Sequence, residues 1–141
     1  MKIAVIGAGG FVGQRVARRL AVDPDIERIA MVDRVDMPAP DGKSVTTHVG
    51  DFADPALRDA ALDGADAVIL LAAILGGAAE ADYALARAVN VDATLGLFEH
   101  LRDTRPDTRM VFASTIAVYA KPLPDPVTDA TPFAPTMIYG A

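Results

Sequence analysis

The sequence has no cysteine and no tryptophan, and acidic residues outnumber basic ones. Without cysteine the chain forms no disulfide, no thiolate metal site and no cysteine nucleophile. The net charge of −6 and the scattered basic residues argue against nucleic-acid binding. Long apolar runs are also lacking, because the longest uncharged one, 67–79, has 13 residues and is too short for a bilayer. We therefore expect a cytoplasmic protein without a nucleic-acid or membrane partner.

The most informative stretch is Ile3–Gly13, where a short apolar run meets three glycines spaced by three. This pattern predicts a strand, a tight turn and the start of a helix. Gly7 lets the strand turn sharply, Gly10 lets the backbone approach a pyrophosphate, and Gly13 lets the helix pack close to the strand. The helix N-terminus would attract the anion. Asp33 follows 20 positions after Gly13, where a ribose-binding carboxylate belongs, so we favour a dinucleotide site over a purely structural glycine turn.

Apolar segments alternate with helical patterns along the rest of the chain, which is typical of a parallel sheet wound with helices. The strands are predicted at Lys2–Ile6, Arg28–Asp33, Val45–Val49, Ala67–Ala73 and Arg109–Ser114. We expect a Rossmann-type, doubly wound α/β fold with strand order 3-2-1-4-5 and an incomplete second half. A nucleotide would cross the carboxyl ends of the first and fourth strands, where the order reverses.

Three helices are predicted between these strands. The first follows the glycine turn and is expected to bury Val12, Val16 and Leu20, which recur every four residues. Asp54 is expected to cap the second helix. The third and longest, 81–104, carries an apolar stripe. That stripe comprises Ala86, Val89, Ala93, Leu97 and Leu101.

Several short motifs occur together in an order that resembles the extended short-chain dehydrogenase/reductase family. They span nearly the whole chain and are Gly7-x-x-Gly10-Phe11-Val12-Gly13, Gly50-Asp51-Phe52, Leu71-Ala72-Ala73, Asn90-Val91-Asp92-Ala93-Thr94, Phe112–Tyr119 and Tyr139-Gly140-Ala141. The resemblance implies an NAD-dependent oxidoreductase that oxidises the 2-hydroxyl of a small sugar acid. Two alternatives remain open: a UDP-sugar epimerase or dehydratase, which shares these motifs, and a dinucleotide-binding module without catalysis.

The resemblance also assigns roles in cofactor binding. Asp33 would accept hydrogen bonds from the adenosine ribose, whereas Arg34 beside it would suit a 2′-phosphate instead; we expect NAD rather than NADP. Asp51 and Phe52 would frame the adenine. Asn90 would lie near the cofactor on the long helix. The remaining cofactor-binding residues implied by the motifs are Gly7, Gly10, Phe11, Val12, Gly13, Leu71, Ala72, Ala73 and Tyr139.

Thr115 and Tyr139 are the catalytic residues that the resemblance implies. In this family the tyrosine takes the proton of the substrate hydroxyl, the threonine orients the substrate oxygen, and hydride leaves to the nicotinamide. No metal site is predicted, because His48 and His100 have no second ligand at a useful spacing. The substrate partner would be a small hydroxy acid or sugar.

The family pattern Tyr-x-x-x-Lys would place its lysine beyond Ala141. We therefore expect residues 1–141 to be the NAD-binding Rossmann domain, without a C-terminal substrate domain, and to be inactive alone. Tyr139, the third residue from the end, is expected to fray. A homodimer through the helix 81–104 is expected. The sequence departs from the family at Leu70, Ala120 and Ile138, which weakens inference about the substrate but not about the fold.

Overall fold

A computed structural model describes residues 1–42, 44–119 and 121–141, so Ala120 lies outside the described residues. Its centre is a five-stranded parallel sheet in the order β3-β2-β1-β4-β5. The strands are β1 Lys2–Ile6, β2 Arg28–Asp33, β3 Ser44–Val49, β4 Ala67–Leu70 and β5 Arg109–Phe112. The predicted Rossmann-type fold and strand order are confirmed.

Helical segments connect these strands. They are α1 Phe11–Ala21, α2 Pro55–Ala61, α3 Gly76–Ala81, α4 Tyr83–Ala86, a π-helical segment Arg87–Ala93, α5 Thr94–Thr104, and 3₁₀ turns Ile116–Val118 and Ile138–Gly140. As predicted, Asp54 caps α2, because its carboxylate accepts a hydrogen bond from the Ala56 N–H at 2.8 Å. In the described part of the chain, no helix is both long enough and apolar enough to cross a membrane.

The central strands β1, β2 and β4 are covered on both faces, and the side chains along each strand alternate between the two faces. Ile3 and Val5 of β1 pack on the face covered by α1. Ala4 and Ile6 pack on the opposite face, against α2 and α5, where Leu97 is fully buried. Two apolar clusters therefore hold β1 between them, which explains why its central residues are buried throughout.

The buried face of α1 differs from the prediction. Gly13, Ala17 and Ala21 are buried, whereas Val12 is 55% exposed. The predicted period was correct, but the buried stripe is shifted by one residue, so that Val16 and Leu20 are only partly buried. The helix lies so close to the strand and the glycine turn that the smallest side chains face them. A Cβ at Gly13 would lie 2.7 Å from the Ala8 Cα. Such spacing leaves valine and leucine at the margin of the interface.

The long helix predicted over 81–104 is present but begins at Tyr83, and it continues to Thr104 through α4, the π-helical segment and α5. The backbone leaves helical geometry at Asp82, with φ −137° and ψ 88°, and the Asp82 carboxylate accepts a hydrogen bond from the Leu85 N–H at 2.9 Å. Aspartate favours such local capping over a continuous helix. The predicted stripe is nevertheless largely right, because Ala93, Leu97 and Leu101 are buried.

Two strands are shorter than predicted. β4 ends at Leu70 rather than at 73, and β5 ends at Phe112 rather than at 114. The residues beyond each strand leave the sheet at its carboxyl edge. They line open space there, which creates the candidate site.

Candidate functional site

Two adjoining cavities lie at the carboxyl edge of the sheet, where the strand order reverses. The smaller, of about 410 Å³, lies beside the glycine turn and the ends of β1 and β2. The larger, of about 590 Å³, lies between the ends of β4 and β5 and the segment 83–94. The two cavities share Leu71, Ala72, Ala73 and Leu75 in their linings. This is the position at which open α/β sheets bind their ligands.

The three predicted glycines serve different purposes in the turn. Gly7 has φ +87°, and a Cβ there would lie 2.5 Å from the Ala72 N. Gly13 permits the close contact of α1 with the strand. A Cβ at Gly10 would meet its nearest neighbour, the Gly7 carbonyl oxygen, at 3.4 Å, which is an ordinary contact. Gly10 therefore keeps one side of the smaller cavity open rather than relieving a collision.

The N-terminus of α1 offers hydrogen-bond donors to the smaller cavity. Gly10 has no side chain with which to cap the helix, and the Gln14 N–H donates to the Gly10 carbonyl at 2.9 Å. Helix geometry leaves the N–H groups of Phe11, Val12 and Gly13 without a partner inside the helix. All three residues line the cavity. These donors and the helix dipole suit an anion such as a pyrophosphate.

Asp33 stands at the end of β2, half-buried, on the same cavity. Its Oδ2 accepts a hydrogen bond from the Gly9 N–H at 2.8 Å, and a Cβ at Gly9 would lie 3.0 Å from that oxygen. Sequence reasoning missed Gly9, although it lies inside the glycine turn. The contact ties the acidic residue to the turn, and Arg34 follows it in the cavity lining.

Asp51 and Phe52 follow β3 and line the far end of the smaller cavity. Phe52 also belongs to the apolar core, where it is buried. The Asp51 carboxylate is exposed, and its Oδ1 accepts a hydrogen bond from the Ala53 N–H at 2.9 Å. Its second oxygen remains free to accept a hydrogen bond from an adenine amino group.

Thr115 and Tyr139 both line the larger cavity. Thr115 Oγ1 accepts a hydrogen bond from the Ala117 N–H at 3.2 Å, so its hydroxyl proton remains available to a ligand. Tyr139 lies in a 3₁₀ turn whose Gly140 packs directly on the Ala117 carbonyl. This contact joins the turn of Tyr139 to the turn that Thr115 begins, and the expected fraying of Tyr139 stays a prediction.

Asn90 lines the larger cavity from the π-helical segment, and its side-chain amide makes two hydrogen bonds to the backbone of Ile74. Its Oδ1 accepts a hydrogen bond from the Ile74 N–H at 2.8 Å, and its Nδ2 donates to the Ile74 carbonyl at 2.9 Å. This two-sided contact holds the loop after β4 against the helix. Asn90 thus positions the wall between the two cavities, a contact that no local sequence pattern reveals.

The charged side chain in the lining of the larger cavity is Arg87. Its Nε lies 3.0 Å from Asp92 Oδ1. The hydrogen bond with Asp92, followed by one with Tyr83, raises the pKa of the Arg87 guanidinium above its ordinary value. A guanidinium that is ion-paired with Asp92 therefore stands in the lining of the larger cavity, together with the polar side chains of Thr115 and Tyr139.

This fold, with a glycine turn and an acidic residue at the switch point, defines a dinucleotide-binding domain. The sequence model of the NAD dependent epimerase/dehydratase family matches residues 3–141, and the chain belongs to that family. The predictions of family and of NAD as cofactor are confirmed.

Within the family, the chain is similar to proteins named D-erythronate dehydrogenase. The one from Cupriavidus necator is 36% identical over 150 residues, covering 99% of this chain and 46% of the relative. The one from Haemophilus influenzae is 32% identical over 144 residues, with the same coverages. The chain thus spans less than half the length of these curated relatives.

Several solved structures also resemble the chain. A nucleoside-diphosphate-sugar epimerase from Agrobacterium tumefaciens is 33% identical with a TM-score of 0.89, covering 99% of this chain and 44% of that one. A mutant of uronate dehydrogenase from the same organism, complexed with NAD, is 25% identical with a TM-score of 0.81. It covers 99% of this chain and 50% of that one.

Proposed function

We propose that this chain is the cofactor-binding part of an NAD-dependent oxidoreductase that oxidises the 2-hydroxyl of a small sugar acid such as D-erythronate. The observation that carries the proposal is the adjoining pair of cavities. One combines the α1 N-terminus with Asp33, and the other combines Thr115 with Tyr139. The names of the curated relatives support this substrate class.

NAD, held by the α1 N-terminus and Asp33, would supply the acceptor for the hydride that leaves the carbon carrying the substrate hydroxyl. The Thr115 hydroxyl, held by its contact with the Ala117 N–H, orients the substrate oxygen. Tyr139 takes the hydroxyl proton as the carbonyl forms. Arg87, although ion-paired with Asp92, carries further guanidinium N–H donors on the same cavity, which suit the carboxylate of an acid substrate.

We also propose that residues 1–141 form one domain whose sheet is covered beyond β5 by further polypeptide. Val111 and Phe112 of β5 are 49% and 53% exposed, which is unusual for a parallel strand. The family's lysine, one helical turn after Tyr139, would belong to that further polypeptide. Its ammonium group would favour the tyrosine phenolate.

We propose that the protein forms a homodimer through the segment 81–104. Large apolar side chains are exposed along this segment, which supports an interface. They are Tyr83, Leu85, Val91, Leu95 and Phe98. We assign the protein to the cytoplasm, and the cysteine-free sequence is compatible with that assignment.

The main alternative is a UDP-sugar epimerase or dehydratase. The similarity to the nucleoside-diphosphate-sugar epimerase supports it. An epimerase regenerates its cofactor within each turnover, whereas the proposed dehydrogenase releases NADH. Net NADH formation with D-erythronate therefore favours the dehydrogenase, and turnover of a UDP-sugar without NADH favours the alternative.

A chimaera tests the proposal. In it, residues 1–141 replace the matched N-terminal part of the Cupriavidus necator relative. We expect NADH formation from D-erythronate by the chimaera, NAD binding without turnover by the 141-residue chain, and a large loss of kcat in the chimaera with Tyr139→Phe. A folded chimaera that binds NAD but forms no NADH from D-erythronate would overturn the substrate assignment. Full activity with Tyr139→Phe would overturn the mechanism.

A further inference from the structure

The Glu80 carboxylate makes a contact that the proposed reaction does not use. Its Oε1 accepts a hydrogen bond from the Ile138 N–H at 2.6 Å, across 58 positions of sequence. Ile138 directly precedes Tyr139. A short bond to a charged acceptor is among the stronger hydrogen bonds in proteins. It therefore fixes the backbone at the position from which the Tyr139 side chain departs.

The helix that carries Glu80 contacts the rest of the domain at several points. Ala79, the preceding residue, is fully buried, and α3 packs against α4 and against the 3₁₀ turn Ile138–Gly140. The loop that leads into α3 is held by the two hydrogen bonds between Asn90 and Ile74. Glu80 therefore reaches the Ile138 N–H from a helix that already lies against the tyrosine turn.

The opposite side of the same turn rests on the turn that Thr115 begins. A Cβ at Gly140 would collide with the Ala117 carbonyl, so the two turns are in backbone contact. Within its own turn, the Gly140 N–H donates to the Met137 carbonyl at 3.0 Å. The backbone around Tyr139 is thus held from α3 on one side and from the Thr115 turn on the other.

We propose that Glu80 is a positioning residue that sets the location of Tyr139 relative to Thr115. Glu80 acts through the Ile138 backbone and touches neither substrate nor cofactor. The inference rests on the proposed function for its catalytic consequence, although the contact itself is independent of that function. Misplacing a reacting group by about 1 Å can cost on the order of a hundredfold in rate.

The contact is tested first by amide hydrogen exchange of Ile138 in the 141-residue chain. Glu80→Ala removes the acceptor, and we expect exchange of the Ile138 amide to accelerate about tenfold or more. Glu80→Gln keeps an acceptor oxygen at the same reach and should retain most of the protection. Glu99→Ala, at an exposed glutamate of α5, is the matched control and should change nothing at Ile138.

The positioning role is tested with the same variants in the chimaera. We expect Glu80→Ala to lower kcat about tenfold or more, with KM for D-erythronate nearly unchanged, and Glu80→Gln to restore most of kcat. Unchanged exchange at Ile138, unchanged kcat, or a glutamine variant as impaired as the alanine variant would overturn the inference. If the chimaera forms no NADH at all, the proposed function fails, while the exchange measurement still decides whether Glu80 holds Ile138.

Discussion

A methyl group on Gly13 would lie 2.7 Å from the Ala8 Cα, whereas one on Gly10 would make only an ordinary contact. We therefore expect Gly13→Ala to lower the free energy of unfolding by about 1 to 3 kcal/mol, because the tight packing of α1 on β1 cannot be kept. Gly10→Ala should leave stability nearly unchanged but weaken NAD binding, because its methyl group projects toward the phosphate site. Urea unfolding and NAD titration of both variants measure these effects. Equal losses of stability in both would contradict the distinction.

At the same scale, Asp33 should determine the preference for NAD over NADP. A carboxylate about 4 Å from a 2′-phosphate costs about 1 to 4 kcal/mol per unit charge, or about fivefold to nearly a thousandfold in affinity. Asp33→Asn removes the charge and keeps an oxygen that can accept from the Gly9 N–H, so the turn should survive. Titrations with both cofactors should show a smaller difference in affinity between NAD and NADP in this variant. Tighter binding of NADP by the unaltered chain would contradict the assignment.

Single residues also mark the limit of sequence reasoning about the site. Gly7, Gly13 and Asp33 were predictable, because their spacing follows from one strand, one turn and one helix. The contacts of Asn90 with Ile74 and of Glu80 with the tyrosine turn were not, since each joins segments that only the complete sheet brings together.

At the level of elements, the attachment of the loop after β4 to the π-helical segment should depend on Asn90. Asn90→Ala leaves the N–H and carbonyl of Ile74 without their partner, and we expect a loss of about 1 to 3 kcal/mol in the free energy of unfolding. Faster amide exchange at Ile74 should accompany it. Asp92→Asn changes an exposed side chain in the same segment and should have little effect. Retained protection of Ile74 in Asn90→Ala would contradict the role.

The sheet was predicted more accurately than the helices. Runs such as Ile3–Ile6 and Arg28–Asp33 are apolar on both faces, so burial and strand length are visible in the sequence. The break at Asp82 was missed because it depends on one capping side chain within an otherwise helical pattern. The phase of α1 was missed because closeness to the strand, rather than hydrophobicity, selects its buried residues.

For the molecule as a whole, the exposed apolar residues of 81–104 should mediate self-association. Leu95→Lys places a charge on that surface, and we expect it to shift the protein to the monomer in sedimentation velocity experiments. Val22→Lys adds the same charge at an exposed valine after α1 and should leave association unchanged. A native chain that is monomeric at all concentrations, or an equal response to both substitutions, would contradict the interface.

The wall at Leu71, Ala72, Ala73 and Leu75 has a consequence for how specificity can evolve. The two cavities have these four lining residues in common, and the other lining residues belong to one cavity alone. Substitutions around Asp33 can therefore alter cofactor choice while the substrate side is untouched, and the reverse holds around Arg87. Proteins with this fold can thus evolve to accept a new substrate while they keep the same coenzyme, provided that Ala72 and Ala73 of the shared wall remain small.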